Sequence, residues 1–419
     1  MESVELLLKA HEKSINAIHL IASENWLSLE ARLPYMLDVY SRYVYDAEEI
    51  KDDNSLIGQL PNFSGTELLN DLETRCNQLL CELFECKYAN VKSLSGLNMM
   101  LSVMGSLVLK NEWLLSMPIE SGGHSATKYA SERLGINHSF IPMIEGTYEV
   151  DQEKLKEVVQ QHKIKMVYID LMNVITPIDI GTIRKIVGKS TIICYDASHV
   201  LGLIMGDCFQ QPLKEGADIL IGSAHKTLPG SHKGVFLTNK RWYYMLYKLN
   251  HTLFISHTHI ADIGAVSMIL ERGKEFYCDY ATRVISNANY LAKIINSNGF
   301  TAYSCATHQV WIDCEGMELS KLVNELVNNQ IYVNDFTIPH NGHHGIRIGV
   351  QEVTLHGFVE EDIQVLGVVI CKILNSMELS IELKERMRIL IDKQIQNIDK
   401  KEKELLELIK DKENCYGKE

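Results

Sequence analysis

An excess of positive charge, a membrane-length apolar run and closely spaced cysteine pairs are all missing from this chain of 419 residues. The formal net charge is −13, which argues against a general surface for nucleic acid or anionic membrane, since both partners are themselves polyanions. A local basic pocket for a phosphate stays compatible with it. The ten cysteines are scattered; Cys76, Cys81 and Cys86 recur at intervals of five, and none stands in CxxC spacing. That excludes the usual thiolate zinc pattern and reads as reduced thiols. The most apolar C-terminal stretch, Val365–Leu374, is about half of the ~20 residues that span a bilayer. The first residues, Met-Glu-Ser-Val-Glu, are acidic and lead into no long apolar core, so no secretory signal and a cytoplasmic location are expected. No internal repeat or low-complexity tract stands out.

What is present is an alternation. Residues 1–40 read as a helical segment, interrupted by Ile21-Ala-Ser-Glu-Asn-Trp26. From about 65 to 250, helical patterns alternate with short apolar runs at Leu114–Met117, Met166–Ile169, Thr191–Cys194, Ile219–Ile221 and Gly234–Leu237. Such alternation predicts a mostly parallel sheet with helices on both faces, in a large α/β domain over 41–270. A smaller α+β domain is expected over 271–376, with a helix over Glu275–Asn298, a strand at Gln309–Ile312, a helix over Leu319–Asn329 and strands near Ile331–Val333 and Ile346–Ile348. Residues 377–419 form a C-terminal helical extension. There Ile389, Ile391, Ile395, Ile398, Leu405 and Leu408 recur at helical spacing, predicting either a helix pair docked on its own domain or a subunit-contact helix.

Two positions carry the chemistry. Lys226 follows the apolar run Ile219-Leu-Ile221 and precedes a Pro-Gly turn, with His225 beside it. Desolvation and a nearby positive charge lower a lysine pKa, and the free amine attacks carbonyls to form a Schiff base. Upstream, Ile192-Ile-Cys-Tyr195 reads as a strand buried on both faces, which sets Asp196 at its carboxyl end, where open α/β sheets place ligands. A carboxylate there can hold a protonated pyridine nitrogen, the pairing that makes pyridoxal 5'-phosphate an electron sink. An aspartate and a lysine at the ends of neighbouring strands therefore point to that cofactor.

Six motifs, in order, resemble serine hydroxymethyltransferase: Leu20-Ile-Ala-Ser-Glu-Asn25, Tyr88-Ala-Asn-Val-Lys-Ser-Leu-Ser-Gly96, Gly122-Gly-His124, Asp196-Ala-Ser-His199, His225-Lys-Thr-Leu228 and Gly345-Ile-Arg-Ile-Gly349. The resemblance spans about residues 15 to 375. It implies a fold-type-I pyridoxal phosphate transferase, with a mostly parallel seven-stranded sheet in the large domain, and a homodimer with sites at the subunit interface. Lys226 is similar to the lysine that bears the cofactor, Asp196 to the partner of the ring nitrogen, and His124 to the histidine stacked on the ring. His199, Ser223 and His225 match positions around the cofactor, and Ser95 and Gly96 the turn that offers a hydroxyl and N–H groups to its phosphate. Leu97 stands where the family has a further serine. Arg347 resembles the arginine that clamps the substrate carboxylate through two hydrogen bonds, with Ser23 as its helper and Tyr43 nearby. No metal is expected: His340, His343 and His344 have no thiolate beside them and sit in a glycine-containing loop rather than on a helix, and read as pocket lining or plain loop.

The departures fall on the folate side. The family's catalytic glutamate position is taken by Tyr45, with Asp46, Glu48 and Glu49 as candidate carboxylates from a rearranged loop. The paired cleft tyrosines become Asn62 and Phe63. A pterin-contacting segment reads Asn334-Asp-Phe-Thr-Ile-Pro339, and a shortened glycine-rich loop reads Phe254-Ile-Ser-His-Thr-His259, leaving Ser256, His257 and Thr258 as replacements. The expectation is an enzyme acting at Cα of a small α-amino acid by aldol and retro-aldol chemistry, with an aldehyde as second substrate and no folate. His124, His199 or an acidic residue of 46–49 is the general acid/base. A folate-dependent hydroxymethyltransferase with a rebuilt cleft, and transamination or decarboxylation, are the alternatives.

Overall fold

The apolar runs of the sequence become strands, numbered here along the chain, in a computed structural model that describes residues 2–44, 63–250 and 253–416. They are β1 (Ile18–His19), β2 (Tyr88–Asn90), β3 (Trp113–Ser116), β4 (Asn137–Phe140), β5 (Ile164–Asp170), β6 (Ile192–Asp196), β7 (Ile219–Ser223), β8 (Gly234–Thr238), β9 (Thr301–Tyr303), β10 (Gln309–Asp313), β11 (Ile331–Tyr332), β12 (Asn334–Thr337) and β13 (His344–Gly349). The chain divides into two compact units, one of residues 31–278 and one of residues 1–30 with 279–419.

In the first unit, β2 to β8 form one seven-stranded sheet in the order β2-β8-β7-β6-β5-β3-β4. β8 runs antiparallel to both β2 and β7, and the other neighbouring pairs are parallel. This is the mostly parallel α/β sheet of a fold-type-I enzyme. Its central strands carry apolar side chains on both faces because helices cover both. On one face the helix Gly96–Leu107 lays Met99, Met100, Val103, Met104 and Leu107 in one core with Met166, Tyr168, Ile192, Cys194, Ile219, Ile221 and Phe236. Burying each of these side chains contributes about 1.5–3 kcal/mol. Two strands escaped the sequence reading for a visible reason. β4, Asn-His-Ser-Phe, is an edge strand with every residue only half-buried, so it shows no apolar run. β2 is only three residues long and forms the opposite edge.

The path of the chain fixes where a ligand belongs. From β3 it moves outward to β4, then returns across β3 to β5 and proceeds in the other direction through β6, β7 and β8. The reversal leaves a crevice outside the carboxyl ends of β3 and β5, the topological switch point at which open parallel sheets bind ligands.

The second unit holds an antiparallel sheet ordered β12-β13-β10-β9 and a parallel pair, β1 with β11. β12 is a polar edge strand that the sequence did not reveal, paired along its length to β13. The segment after β1 is bound to the same unit: Gly349 N donates to Leu20 O at 2.8 Å, and the Gln351 amide donates to Ile21 O and Glu24 O at 2.8 and 2.6 Å. Two of the sequence motifs, 20–25 and 345–349, thus lie side by side. The expected C-terminal helix pair is corrected to a single helix, Ile381–Tyr416. No glycine or proline interrupts that stretch, so nothing in it breaks the helix. Met387, Leu390 and Ile391 are buried while Ile389 is exposed, and Gln394 donates to Ala17 O at 3.1 Å. Among the described residues no helix is long and apolar enough to cross a membrane.

A buried ion pair in the first unit gives the fold its sharpest test. Glu73, on the helix Glu67–Leu83, meets Lys92 at 2.6 Å, with both side chains almost wholly enclosed. Removing one partner strands the other charge away from water, so Glu73→Ala is expected to cost about 3–5 kcal/mol in urea unfolding.

Candidate active site

Residues from the carboxyl ends of β5, β6 and β7 meet at the crevice. Gly96, Leu97, Met100, His124, Thr127, Asp170, Leu171, Met172, Asp196, Ser198, His199, Ser223 and Lys226 line one pocket, a concave site in which a few convergent polar groups can orient a small ligand. Lys226, Asp196, His124, His199, Ser223 and Gly96, six residues singled out from sequence, are therefore gathered in one place.

Asp196 ends β6 and is held from two sides. Its Oδ2 accepts the Tyr168 hydroxyl at 2.8 Å, and its Oδ1 accepts Ser198 N at 2.9 Å and Ser198 Oγ at 2.5 Å. The carboxylate is oriented before any ligand arrives. Ser198 Oγ in turn accepts Ser223 N at 3.1 Å and lies 3.1 Å from Ser223 Oγ. Both hydroxyls abut Gly96, the first residue of the helix that follows β2. A Cβ at Gly96 would lie 2.1 Å from Ser223 Oγ and 3.2 Å from Ser198 Oγ, so only glycine leaves this corner open. Exposed N–H groups at a helix N-terminus, hydroxyls beside them and no side chain between make a cradle suited to a phosphate.

Lys226 lies three residues beyond β7, in the turn rather than on the strand. Its Nζ is 3.3 Å from His199 Nε2. The turn is pinned beneath it: Thr227 Oγ1 donates to His199 O at 2.9 Å and accepts Gly202 N at 3.1 Å. A pocket with an amine, a strand-end carboxylate and a phosphate cradle has the three attachments that pyridoxal phosphate needs, and the donor set fits that group.

His124 caps the helix Ser125–Arg133, its Nδ1 accepting Ala126 N at 3.1 Å. Desolvation lowers its pKa from the ordinary 6.5, against the opposing charge of Asp196. A neutral ring whose Nδ1 is an acceptor carries its proton on Nε2. The turn before it needs Gly122 at φ +93°, and Gly122 O accepts Met172 N and Asn173 N, tying this turn to the one after β5.

The sequence reading passed over Asp170, which ends β5 in register with Asp196 on β6. Its Oδ1 accepts Met117 N at 3.1 Å; its Oδ2 accepts His124 N at 3.3 Å and meets Thr127 Oγ1. Every one of those partners belongs to the segment that carries His124. Burial, above all, holds the Asp170 carboxyl well above its ordinary 3.8, with the Asp196 charge adding to the shift. A strand-end acid next to the predicted strand Met166–Ile169 was a signal available in the sequence.

The other predicted residues lie elsewhere. Ser95 caps the helix Gly96–Leu107 by accepting Asn98 N, and is not among the pocket-lining residues. His225 turns to the His232 ring, 4.2 Å away, and burial pushes its pKa down to about 3. The Tyr43 hydroxyl donates to Ser256 O at 2.6 Å, its ring stacking on His257 at 4.5 Å and leaning on Phe63 at 4.7 Å. Thr258 donates to Val44 O at 3.1 Å, so the 254–259 loop is stitched to the 43–44 stretch. Tyr45, Asp46, Glu48, Glu49 and Asn62 lie outside the described residues. In the second unit, Arg347 is buried on β13 and its Nε donates to Asn334 Oδ1 at 3.3 Å. Burial lowers its pKa to about 10, which leaves it charged at neutral pH. Ser23 lies in the segment bonded to Gly349 and Gln351, beside the β13 end. His343 pairs with Asp313 at 2.8 Å, and no cluster of potential metal ligands forms among the described residues.

Comparison with known proteins agrees with this geometry. The family profile described as serine hydroxymethyltransferase matches residues 1–370. An L-threonine:uridine-5'-aldehyde transaldolase from Amycolatopsis sp is 30% identical over 370 residues, covering 85% of this chain and 87% of the relative. A serine hydroxymethyltransferase from Methanosphaera stadtmanae is 30% identical over 382 residues, covering 86% and 87%. The solved structure of L-threonine transaldolase from Pseudomonas fluorescens superposes with a TM-score of 0.84 at 24% identity, covering 93% of this chain and 90% of that one, a likeness of fold.

Asp170 yields a test in which the sign is determined. A carboxyl whose folded pKa is raised binds its proton more tightly in the native state, so its contribution falls as pH rises above the unfolded value. Asp170→Asn keeps the shape without the titration, and urea unfolding should show the variant gaining on the native protein as pH rises above the ordinary carboxyl value of 3.8. Asp170→Ala leaves buried N–H groups without acceptors and should be less stable than Asp170→Asn by about 1–3 kcal/mol at every pH.

Proposed function

Because the chain belongs to the serine hydroxymethyltransferase family of pyridoxal phosphate enzymes, we propose that it is a transaldolase, which splits a β-hydroxy α-amino acid of the threonine type and passes the glycyl unit to a second aldehyde without folate. Relatives named as transaldolases and as hydroxymethyltransferases are equally similar to the chain, so the site must separate the two readings. The observation that carries the proposal is the engagement of the folate-side side chains. Phe336, at the position of the family's pterin-contacting asparagine, packs edge-on against Trp311, and Phe63 packs against Tyr43, while the cofactor-side groups persist in one pocket.

When bound, pyridoxal phosphate supplies the carbonyl that a lysine amine condenses with and the ring that takes up the electron pair released at Cα. The residues of the chain do the rest. Lys226 offers its amine, with His199 Nε2 at 3.3 Å to take or return its proton. Asp196, fixed by Tyr168 and Ser198, keeps a proton on the ring nitrogen. His124 presents a flat neutral ring for stacking and an Nε2–H to the pocket. Ser198, Ser223 and the N–H groups at Gly96 hold the phosphate. The guanidinium of Arg347, charged and directed by Asn334, pairs with the α-carboxylate. The proposal includes a homodimer in the cytoplasm; the first helix, Glu2–Ile15, supports a partner by exposing Leu6, Leu7 and Leu8 with no buried residue of its own.

The deciding experiment supplies the purified enzyme with L-threonine and an aromatic aldehyde in the absence of folate. Acetaldehyde and a new β-hydroxy amino acid should appear together, and Lys226→Ala should abolish both along with the visible absorption band of the bound cofactor. Turnover that requires a reduced folate would overturn the reading. Arg347→Lys should raise KM for the amino acid roughly 10–100-fold, the effect of losing a charge-assisted hydrogen bond of about 1.5–3 kcal/mol.

A further inference from the structure

The cysteines at intervals of five play no part in the pocket, yet two of them are brought together by the way a helix ends. The helix Glu67–Leu83 stops at Phe84, whose N–H still reaches Leu80 O at 3.0 Å. Glu85 then adopts a left-handed conformation, φ +51°, and Cys86 N turns back to bond Cys81 O at 3.0 Å. This is the Schellman ending, in which the residue two past the cap bonds to the third-last helical residue and their side chains meet. Here both of those positions are cysteine. The Cys81 and Cys86 thiols face one another across this turn, close enough for the proton of one to serve the sulfur of the other, and the Cys86 thiol donates to Tyr88 O at 3.6 Å. Both residues are half-buried, within reach of small solutes, while Cys76 is fully enclosed. Five residues along a helix turn by about 500°, which puts Cys76 some 140° around the axis from Cys81 and out of its reach.

We propose that Cys81 and Cys86 form a reversible dithiol–disulfide pair, a modification site that reacts with low-molecular-weight disulfides of the glutathione type. The Cys81 thiolate attacks one sulfur of the small disulfide, whose S–S bond breaks and releases one thiolate, leaving a mixed disulfide on Cys81. Cys86 gives its proton to solvent, and its thiolate attacks the Cys81 sulfur and expels the second thiolate. Two protein thiols are oxidised to one disulfide, and the small disulfide is reduced to two thiols. The order of attack follows from the pair itself. The hydrogen bond from Cys86 lowers the Cys81 pKa and raises that of Cys86, so Cys81 is the better thiolate.

Trypsin isolates the site, since cleavage after Arg75 and Lys87 releases Cys76–Lys87 with all three cysteines. The full-length protein is incubated with oxidised glutathione, alkylated in denaturant, digested and weighed. The expected peptide carries a single label, on Cys76, and is otherwise two hydrogens lighter than the free thiols; dithiothreitol restores three labels. In Cys86→Ser, the reaction should stop at a glutathione adduct on Cys81. A native peptide that keeps all three labels, a stable adduct that never resolves, or a bond from either cysteine to a third one would each overturn the proposal.

Discussion

Burial of β5, β6 and β7 on both faces is the constraint from which the pocket follows. Strands covered on each side by helices leave little room for charge in their middle, so charged groups are confined to strand ends, Lys165 at the start of β5 and the acids where the sheet meets the crevice. Asp170 and Asp196 stand at the last positions of β5 and β6, and Lys226 follows the end of β7 by three residues. The reversal of strand order between β3 and β5 opens the space those groups share. Packing thus decides where the chemistry can be, and the polar residues decide what chemistry it is.

Within that space the arrangement is hierarchical. Asp196 is oriented by Tyr168 and Ser198, Ser198 is bridged to Ser223, and Ser223 abuts Gly96. One hydroxyl-bearing chain therefore connects the Asp196 carboxylate to the helix N-terminus at Gly96. A second set hangs on Asp170, whose two oxygens gather Met117, His124 and Thr127. Two carboxyl groups in register on neighbouring strands lie roughly 4.8 Å apart at the backbone. Burial and the adjacent Asp196 charge favour the neutral form of Asp170, while the three donors at its oxygens oppose that shift.

Legibility in the sequence tracked the strength of local patterns. The central strands were visible because apolar runs bounded by turns survive any context. β4 and β12 were not, since edge strands written as Asn-His-Ser-Phe and Asn-Asp-Phe-Thr are stabilised by the neighbour they pair with and have no apolar signature. Ser95 and His225 were assigned to the cofactor and Tyr43 to the substrate from motif membership; what the structure adds is that their side chains also serve a helix cap, a histidine pair and the 254–259 loop. Asp170 was missed because a lone aspartate after an apolar run is unremarkable until its hydrogen bonds are known.

The amino-acid sequence by itself determined the alternating α/β plan and the cofactor class, and it singled out Lys226, Asp196 and His124, which the fold brings to one pocket. Those are properties of residue type and order, which short-range patterns record. Only the tertiary structure decided that His199 lies against Lys226, that Asp170 holds the His124 turn and that Cys81 meets Cys86. Each of these depends on distances between segments, through a shared hydrogen bond or the hand of a turn, and such distances come into being only when the chain packs.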